Sequence, residues 1–254
     1  MTNVLLLRAP GTNCDNETAL AFRLAGAKMV TTLHINRILE SSKPLEQAQI
    51  LCIPGGFSFG DDVGAGKVFA SLIRNHLADA LKKFRDAGKL ILGICNGFQV
   101  LIKSGILLED DASGNPATLT WNQQGRYLDR WVRLRTVSEK SVFLQGVKEM
   151  YLPIAHAEGR FVPRDETILR QLDAAGQLPL RYQGGDNPNG ATLDVAGACD
   201  GTGRVFGLMP HPERHLYAIQ HPQWTRRYRP NELGDDVPFG DGIAVFKNAV
   251  NYFS

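Results

Sequence analysis

Cysteine is scarce in this chain, and its residues at positions 14, 52, 95 and 199 form no CxxC pair. This argues against a zinc ribbon and against a disulfide scaffold. No apolar run approaches the ~18 residues that a membrane span needs. The first such run stops at Arg8 and is too short for a signal peptide. We therefore expect a cytoplasmic protein without a membrane segment, in a compartment where thiols stay reduced.

An excess of charge of one sign is also missing. Lys and Arg number 28 against 26 Asp and Glu, which gives a formal net charge of +2. So small an excess does not predict nucleic acid or an anionic membrane surface as the main partner.

Length and composition are those of an ordinary globular chain. It has 254 residues, of which 43% are hydrophobic, with 26 Gly and 13 Pro. The Gly and Pro content lies well below the ~25–30% typical of low-complexity sequences. The chain has no internal repeat and no long linker, so we predict a single domain over residues 1–254.

The first hundred residues alternate between strand and helix patterns. Apolar or alternating runs predict strands at 3–8, 29–34, 49–53 and 89–94, and helical periodicity predicts helices at 15–25, 68–87 and 97–104. Short glycine-containing joints connect them. This alternation predicts an α/β fold, an open, mostly parallel, flavodoxin-like sheet with helices on both faces.

Beyond residue 107 the pattern changes. The runs at 131–136 and 149–154 read as strands with turn-rich joints, which suggests added antiparallel strands. One more buried strand is predicted at 204–209 and a closing helix at 242–253. Residues 221–241 lack periodicity and are predicted to form a long surface loop.

The strongest chemical motif is centred on Cys95. It lies between Gly93 and Gly97, where a buried strand ends and a helix begins. This is the nucleophile-elbow pattern, with Cys in place of Ser. The helix N-terminus favours the thiolate, which is the nucleophilic form. The alternative, a Cys that only packs in the core, is the better interpretation for the other three cysteines.

A thiolate nucleophile needs a base and a group that orients the base. His211 directly follows a buried strand, and Glu213 stands two residues later. Parallel strands place their carboxyl ends at one edge of the sheet, so both should face Cys95. The alternatives are a solvated turn or a metal pair of His211 with His215. Pro212 and the lack of further spaced ligands argue against the metal pair, and we expect no metal site.

A third element is the glycine-rich segment 54–62. Consecutive glycines there let backbone N–H groups approach a substrate, and together with the N–H of Asn96 they could form an oxyanion hole. The alternative is an ordinary turn. The neighbouring Gly66-Lys67 pair is not a phosphate-binding loop, because Val68 replaces the required Ser or Thr.

Four segments carry a resemblance to a known family. PGGFSFGDD, GICNGFQVL, PIAHAEGRF and MPHPERH, in this order, resemble class I glutamine amidotransferases. The sequences of these segments most closely resemble those of the PurQ-type glutaminase subunits of phosphoribosylformylglycinamidine synthases. The resemblance extends from the first strand to the final helix.

The resemblance implies roles for individual residues. Cys95 becomes the nucleophile, His211 the general base and acid, and Glu213 the group that orients His211. Oxyanion and substrate contacts are implied for the glycine loop and the start of the following helix, at Gly55, Gly56, Phe57, Asn96 and Gln99. A second stretch forms the pocket wall or a subunit interface, at His156, Glu158, Gly159 and Arg160.

The resemblance also implies a reaction and its partners. Glutamine is hydrolysed through a thioester, and the ammonia passes to a separate large synthetase subunit, which is joined by a small accessory subunit. That synthetase uses ATP and Mg²⁺ to convert formylglycinamide ribonucleotide to its amidine, and this chain holds no cofactor. Two alternatives remain, a stand-alone Cys-dependent amidase or peptidase and a binding module with an inactive site.

Two departures from the family pattern bear on docking. Val63-Gly64 and Lys67 differ from the residues that the family often has, and 221–241 is longer than in the smallest members. This longer segment is rich in Arg and aromatic residues, which are enriched at interface hot spots: Trp224, Arg226, Arg227, Tyr228 and Arg229. The alternative is a solvated loop.

Overall fold

The computed structural model describes residues 2–227 and 237–254. Within these ranges the strands are β1 (Asn3–Arg8), β2 (Met29–His34), β3 (Ile50–Ile53), β4 (Leu90–Ile94), β5 (Ala117–Trp121), β6 (Leu128–Thr136), β7 (Glu149–His156), β8 (Glu158–Pro163), β9 (Leu180–Tyr182), β10 (Val195–Cys199) and β11 (Val205–Leu208). The α-helices are α1 (Asp15–Leu24), α2 (Ile35–Glu40), α3 (Lys43–Gln47), α4 (Lys67–His76), α5 (Ala78–Asp86), α6 (Asn96–Lys103), α7 (Glu166–Ala174), α8 (Trp224–Arg227) and α9 (Ile243–Asn251).

One mixed sheet forms the centre of the fold, in the order β2-β1-β3-β4-β11-β10-β9-β6-β7. Neighbours from β2 to β11 are parallel, and neighbours from β11 to β7 are antiparallel. Strands β5 and β8 form a separate antiparallel pair. The predicted open sheet with added antiparallel strands is confirmed. Its parallel half has the flavodoxin-like order 2-1-3-4-5 when β11 is counted fifth.

Helices cover both faces of the parallel half. The connection from β1 to β2 runs through α1 towards the β2 edge of the sheet. The connection from β3 to β4, through α4 and α5, and the chain after β4, through α6, run in the opposite direction. Because such crossovers are right-handed, α1 lies on one face and α4 to α6 lie on the opposite face. Helix α9 packs against α1, and α6 packs against α4 and strands β3, β4 and β11.

The central strands are apolar on both sides because both sides are covered. Every residue of β3, β4 and β11 is buried. Strand β7, at the end of the antiparallel half, instead alternates between buried and partly exposed residues. Buried side chains from both halves belong to one continuous apolar cluster. None of the described helices has the length and apolar character needed to cross a bilayer.

The predicted helix at 68–87 is two helices, α4 and α5, with a break at Leu77. The backbone of Leu77 has φ −124° and ψ −1°, outside the helical region. Apolar residues on each side stay buried, among them Ile73 and Leu81. The hydrophobic periodicity therefore continues across the bend, and the sequence pattern does not show the break.

The predicted loop at 221–241 was wrong in part, because the segment contains α8 and its Phe239 forms a β-bridge with Tyr217. Residues 228–236, which include Tyr228 and Arg229, lie outside the described part of the chain. Several short elements had no prediction, namely β5, β8, β9, β10, α2, α3 and α7.

Two glycines let α6 approach the sheet. A Cβ at position 97 would overlap the carbonyl oxygen of Ile53, the last residue of β3. A Cβ at position 93 would lie 2.6 Å from the carbonyl oxygen of Gly97. The backbone of α6 therefore packs directly on the ends of β3 and β4, and no larger side chain fits between them.

Replacing Gly97→Ala should lower the free energy of unfolding by about 1–3 kcal/mol, because the new methyl group pushes α6 away from β3. Urea denaturation monitored by circular dichroism measures this change. The matched control is Gly201→Ala, whose Cβ would meet nothing within 4 Å. It should change the stability by less than ~0.5 kcal/mol. Equal midpoints for the two variants would contradict the packing argument.

Candidate active site

Cys95 stands in the turn between β4 and α6. Its backbone has φ +51° and ψ −102°, a conformation that non-glycine residues rarely adopt. Such strain persists only where the surroundings enforce it and is common at functional positions. Here the close packing of Gly93 and Gly97 enforces it. The predicted nucleophile elbow is therefore present, with the thiol at the carboxyl edge of the sheet.

His211 and Glu213 lie at the same edge, just beyond β11. The Nδ1–H of His211 donates to Oε1 of Glu213 at 2.6 Å, and both side chains are almost fully buried. A single 3₁₀ turn, Pro212–Arg214, brings the carboxylate back under the imidazole. Nε2 of His211 is buried and has no hydrogen-bond partner among the described residues, which leaves it available for proton transfer.

The surroundings of His211 favour its protonated form. Burial by itself lowers the pKa of His211. The negative charge of Glu213 and the neighbouring sulfur groups of Cys95 and Cys14 outweigh this effect, so that the pKa is raised well above its ordinary value. The geometry thus brings together Cys95, His211 and Glu213, as the sequence predicts.

Hydrogen bonds connect the segment that carries His211 and His215 to the edge strand β7. The backbone N–H of His211 donates to the carbonyl oxygen of Pro153 at 2.9 Å. Nδ1–H of His215 donates to the carbonyl oxygen of Tyr151 at 2.9 Å, and the N–H of Tyr151 donates to Asp241 at 2.8 Å. These bonds fix the segment that carries His211 and Glu213 against the sheet.

Cys14 is a neighbour of the site that the sequence analysis did not select. Its Sγ accepts a hydrogen bond from Nη2 of Arg214 at 3.2 Å, and burial raises the pKa of this thiol. The donor atoms of Cys14, His211 and Glu213 lie within 4.8 Å of one another, a spacing that a metal ion could bridge. Each of these residues already has a hydrogen-bond partner. The sequence contains a signal for this position, because Cys14 follows β1 and the ends of parallel strands meet at the same edge of the sheet.

The glycine-rich loop supplies candidate oxyanion donors. The N–H of Phe57 donates to the carbonyl oxygen of Gly11 at 2.9 Å and is not free to bind substrate. The N–H groups of Gly56 and Asn96 have no partner among the described residues. Of the two alternatives in the loop, Gly56 is therefore the available donor. Its φ of +142° favours glycine.

Position 55 requires a glycine because a larger residue would collide with neighbouring side chains. A Cβ there would lie 2.9 Å from Cε1 of His211 and 3.1 Å from Sγ of Cys14. The carbonyl oxygen of Gly55 accepts from the N–H of Cys14 at 3.2 Å. Gly55 thus makes room for the imidazole and does not itself face the cavity described next.

A cavity of about 260 Å³ opens beside Cys95. Residues of the glycine loop, the elbow, β5 and the β7–β8 turn line it: Gly56, Phe57, Gly60, Asp61, Cys95, Gln99, Trp121, Ala155, His156, Ala157 and Glu158. A larger open cavity of about 890 Å³ shares Trp121 and Glu158 but contains no residue of the triad. The smaller cavity is therefore the candidate substrate site, because Cys95, the predicted nucleophile, lies in its wall.

Side-chain amides fix the glycine loop to α6. Oδ1 of Asn96 accepts from the N–H of Ser58 at 3.2 Å, and its Nδ2 donates to Asp61 at 3.0 Å and to Gln99 at 2.9 Å. Gln99 in turn donates to the carbonyl oxygen of Glu158. Gln99 lines the cavity as predicted, whereas the Asn96 side chain organises the loop around it.

His156 forms a rigid part of the wall. Its Nδ1 lies 3.1 Å from Oδ1 of Asn122, and Nδ2 of Asn122 donates to the carbonyl oxygens of Arg126 and His156. Since Oδ1 can only accept, Nδ1 carries the proton. Burial, with the nearby charge of His211, lowers the pKa of His156 to about 3, so the ring is neutral.

The other members of the predicted wall have different positions. A Cβ on Gly159 would overlap the His156 ring, which explains the glycine there. Glu158 lines the cavity and is hydrogen-bonded to the N–H of Ala65. Arg160 lies on β8 opposite Thr120 and does not line the cavity. Asp61 and Trp121 do line it and were missed.

Comparison with known proteins identifies relatives over nearly the full chain. Residues 1–253 match the family model of the CobB/CobQ-like glutamine amidotransferase domain. The chain is 42% identical to the phosphoribosylformylglycinamidine synthase subunit PurQ of Dehalococcoides mccartyi, over 98% of this chain and 96% of the relative. It is also 42% identical to PurQ of Methanococcus maripaludis, over 99% of this chain and 97% of the relative.

Solved structures agree with these relatives. A chain in the structure of PurLQS from Thermotoga maritima superposes with a TM-score of 0.74 at 29% identity, over 100% of this chain and 99% of that one. A glutamine amidotransferase from Thermotoga maritima, at 18% identity and a TM-score of 0.53 over 91% of this chain and 84% of that one, shares the fold. The family model and the relatives together show that this chain is a glutamine amidotransferase and belongs to the family of phosphoribosylformylglycinamidine synthase subunit PurQ.

Proposed function

We propose that this chain is the glutaminase subunit of a phosphoribosylformylglycinamidine synthase. The observation that carries the proposal is the arrangement at the cavity. A strained elbow presents Cys95, and the buried His211–Glu213 pair, joined at 2.6 Å, lies beside it. This is the arrangement of nucleophile, base and orienting group that acyl-transfer enzymes use.

In the proposed reaction, Cys95 Sγ attacks the side-chain carbonyl carbon of glutamine. The carbonyl oxygen becomes an oxyanion, which accepts hydrogen bonds from the free N–H groups of Gly56 and Asn96. Protonated His211 gives its Nε2 proton to the departing nitrogen, so that ammonia leaves and a glutamyl thioester remains. His211 then removes a proton from water, which attacks the thioester and releases glutamate and the Cys95 thiol.

The partner follows from the relatives. The homologues are named as subunits of phosphoribosylformylglycinamidine synthase, and the matched chain comes from a PurLQS assembly. We propose that ammonia passes from the cavity to a large synthetase subunit, in a complex that also holds a small accessory protein. The synthetase would use ATP and Mg²⁺, and this chain would need no cofactor. A cytoplasmic location fits a reaction that consumes ATP and requires a reduced Cys95.

Replacing Cys95→Ala should abolish ammonia release from glutamine, because Cys95 is the cysteine that lines the cavity. Synthesis from added ammonia by the reconstituted complex should persist, since that half-reaction lies in the partner. Both rates are measured on the same preparation. Cys199→Ala, at a buried cysteine on β10, is the control and should retain both activities. Glutamine hydrolysis by the Cys95 variant would exclude this mechanism.

Replacing Glu213→Gln should lower kcat by roughly 10²- to 10⁴-fold, because the imidazole loses its orienting carboxylate. It should also move the alkaline limb of the kcat/KM profile to lower pH. Burial lowers the pKa of His211, whereas the charge of Glu213 raises it. Without that charge the pKa of His211 falls, so the imidazolium loses its proton at a lower pH.

A profile of kcat/KM against pH measures both effects. The matched control is Glu166→Gln on α7, where the carboxylate is exposed, and its profile should equal that of the unchanged protein. If Glu213→Gln leaves both the rate and the alkaline limb unchanged, the carboxylate does not act on His211.

We also propose that docking to the synthetase activates the glutaminase through α8. Trp224 begins this helix, and its N–H donates to the carbonyl oxygen of His221. The His221 ring packs against His215, Tyr151 and Trp131 at centroid distances of 5.1–5.8 Å. His215 lies two residues after Glu213, so a partner bound at α8 can influence the position of the triad.

A Trp224→Ala/Arg227→Ala double variant should show normal glutaminase turnover when isolated but little stimulation by saturating synthetase. The unchanged chain should be slow alone and fast in the complex. Tyr252→Ala/Arg37→Ala, which alters an exposed aromatic residue and an exposed arginine elsewhere, is the control and should respond normally. Equal turnover of the free and bound unchanged chain would disprove coupling. A normal response of the α8 variant would place docking elsewhere.

A further inference from the structure

The cavity beside Cys95 has an acidic character. The described residues that line it include two carboxylic acids, Asp61 and Glu158, and no Lys or Arg. The pKa of His156, at about 3, keeps that ring neutral. A cavity with this lining favours a ligand that brings a positive charge. The primary amide that Cys95 attacks has none, so the positive charge must lie elsewhere on the substrate.

The Glu158 carboxylate is already engaged on its own side of the cavity. Its Oε1 accepts from the N–H of Ala65 at 3.2 Å, and its Oε2 lies 3.5 Å from Nζ of Lys103. Lys103 also donates to the carbonyl oxygen of Ala65 at 2.6 Å. This cluster fixes the chain at Ala65, just after the glycine-rich segment, and gives the Glu158 carboxylate a cationic partner in Lys103.

The Asp61 carboxylate, in contrast, forms no ion pair with any described residue. Its one side-chain hydrogen bond comes from Nδ2 of Asn96 at 3.0 Å. The loop holds it at φ +55°, a conformation that Asp tolerates better than most residues. Burial, and to a smaller degree the neighbouring charge of Glu158, raise the pKa of Asp61. The backbone N–H of Gly66, the Asn96 amide and the charge of Lys103 offset this rise only in part. A second cation at this position would stabilise the carboxylate.

We propose that the carboxylate of Asp61 binds the α-ammonium group of glutamine and so selects the free amino acid as substrate. This inference rests on the proposed glutaminase function. It assigns a specificity-determining contact to a residue that takes no part in bond making or breaking.

Asn96 connects the two ends of the bound substrate. Its backbone N–H is free at the oxyanion position, and its side chain holds Asp61. The reacting carbonyl and the ammonium group are therefore aligned against one residue of the first turn of α6. Peptide-bound glutamine, whose α-nitrogen is an uncharged amide, would place a neutral group against Asp61 and would be rejected.

The test uses the complex with the synthetase and two substrates, glutamine and glutaric acid monoamide, which is glutamine without its α-amino group. Asp61→Asn keeps the shape and the oxygen that accepts from Asn96 but removes the charge. For glutamine, kcat/KM should fall roughly 10- to 100-fold, mainly through KM, as expected for a lost charged hydrogen bond. For the monoamide, kcat/KM should stay within about twofold of the unchanged protein.

Asp62→Asn is the matched control. Asp62 is next to Asp61 in the chain, but it is exposed and does not line the cavity. It should behave as the unchanged protein with both substrates. An equal loss on both substrates for Asp61→Asn would overturn the proposal, because Asp61 would then act only by holding the loop. Failure of the unchanged complex to release ammonia from glutamine would instead reject the proposed function.

A second measurement needs no variant. The diazoketone analogue of glutamine should alkylate Cys95 of the unchanged complex at least tenfold faster than its counterpart that lacks the α-amino group. Mass spectrometry of the labelled peptide gives both rates. Equal labelling rates for the two analogues would overturn the assignment of Asp61. Labelling of Cys95 by both would still agree with Cys95 as the nucleophile.

Discussion

The contact between the backbone of α6 and the end of β3 is the constraint on which the site depends. Because Gly97 lies against the carbonyl oxygen of Ile53, the chain has no room for a gradual turn after β4. Cys95 therefore takes up a strained conformation, and the N–H of Asn96 is left without a partner among the described residues. The strained conformation costs about 1–3 kcal/mol, which the packing of two fully buried strands offsets. The catalytic geometry is thus a product of backbone packing.

Electrostatics at the site is divided between two acids with different surroundings. Glu213 is buried with His211, and in the proposed mechanism it acts on the reacting groups through that imidazole. Asp61 lies in the cavity wall, and its carboxylate has no cationic partner among the described residues. A buried acid paired with an imidazole sets a proton affinity, whereas an unpaired acid at a cavity wall attracts a ligand. The two acids are therefore separated: Glu213 lies behind the site with His211, and Asp61 lies in the wall of the cavity that contains Cys95.

Much of this arrangement could be predicted from the sequence because it depends on local patterns. The spacing of Gly93, Cys95 and Gly97 reports a strand-to-helix turn, and the position of His211 after a buried strand places it at the same edge. These features need only the immediate neighbours and the general rule for parallel sheets.

The rest depends on contacts between distant segments. The N–H of Phe57 is lost as a donor because Gly11, from the β1–α1 loop, happens to face it. Asp61 comes to line the cavity through its surroundings in space, which no local pattern records. The break at Leu77 is invisible for a related reason, since the apolar period continues through it.

The hydrogen bonds between β7 and the segment that carries His211 and Glu213 have a consequence for solubility. Strand β7 ends the nine-stranded sheet, and an uncovered edge of this kind offers free N–H and C=O groups to a strand of another molecule. Here His211 and His215 occupy carbonyl oxygens along that edge, and Asp241 occupies an N–H. The loop that holds the base is thus also the cap of the sheet. Movement of this loop would therefore displace His211 and expose the edge of β7 at the same time.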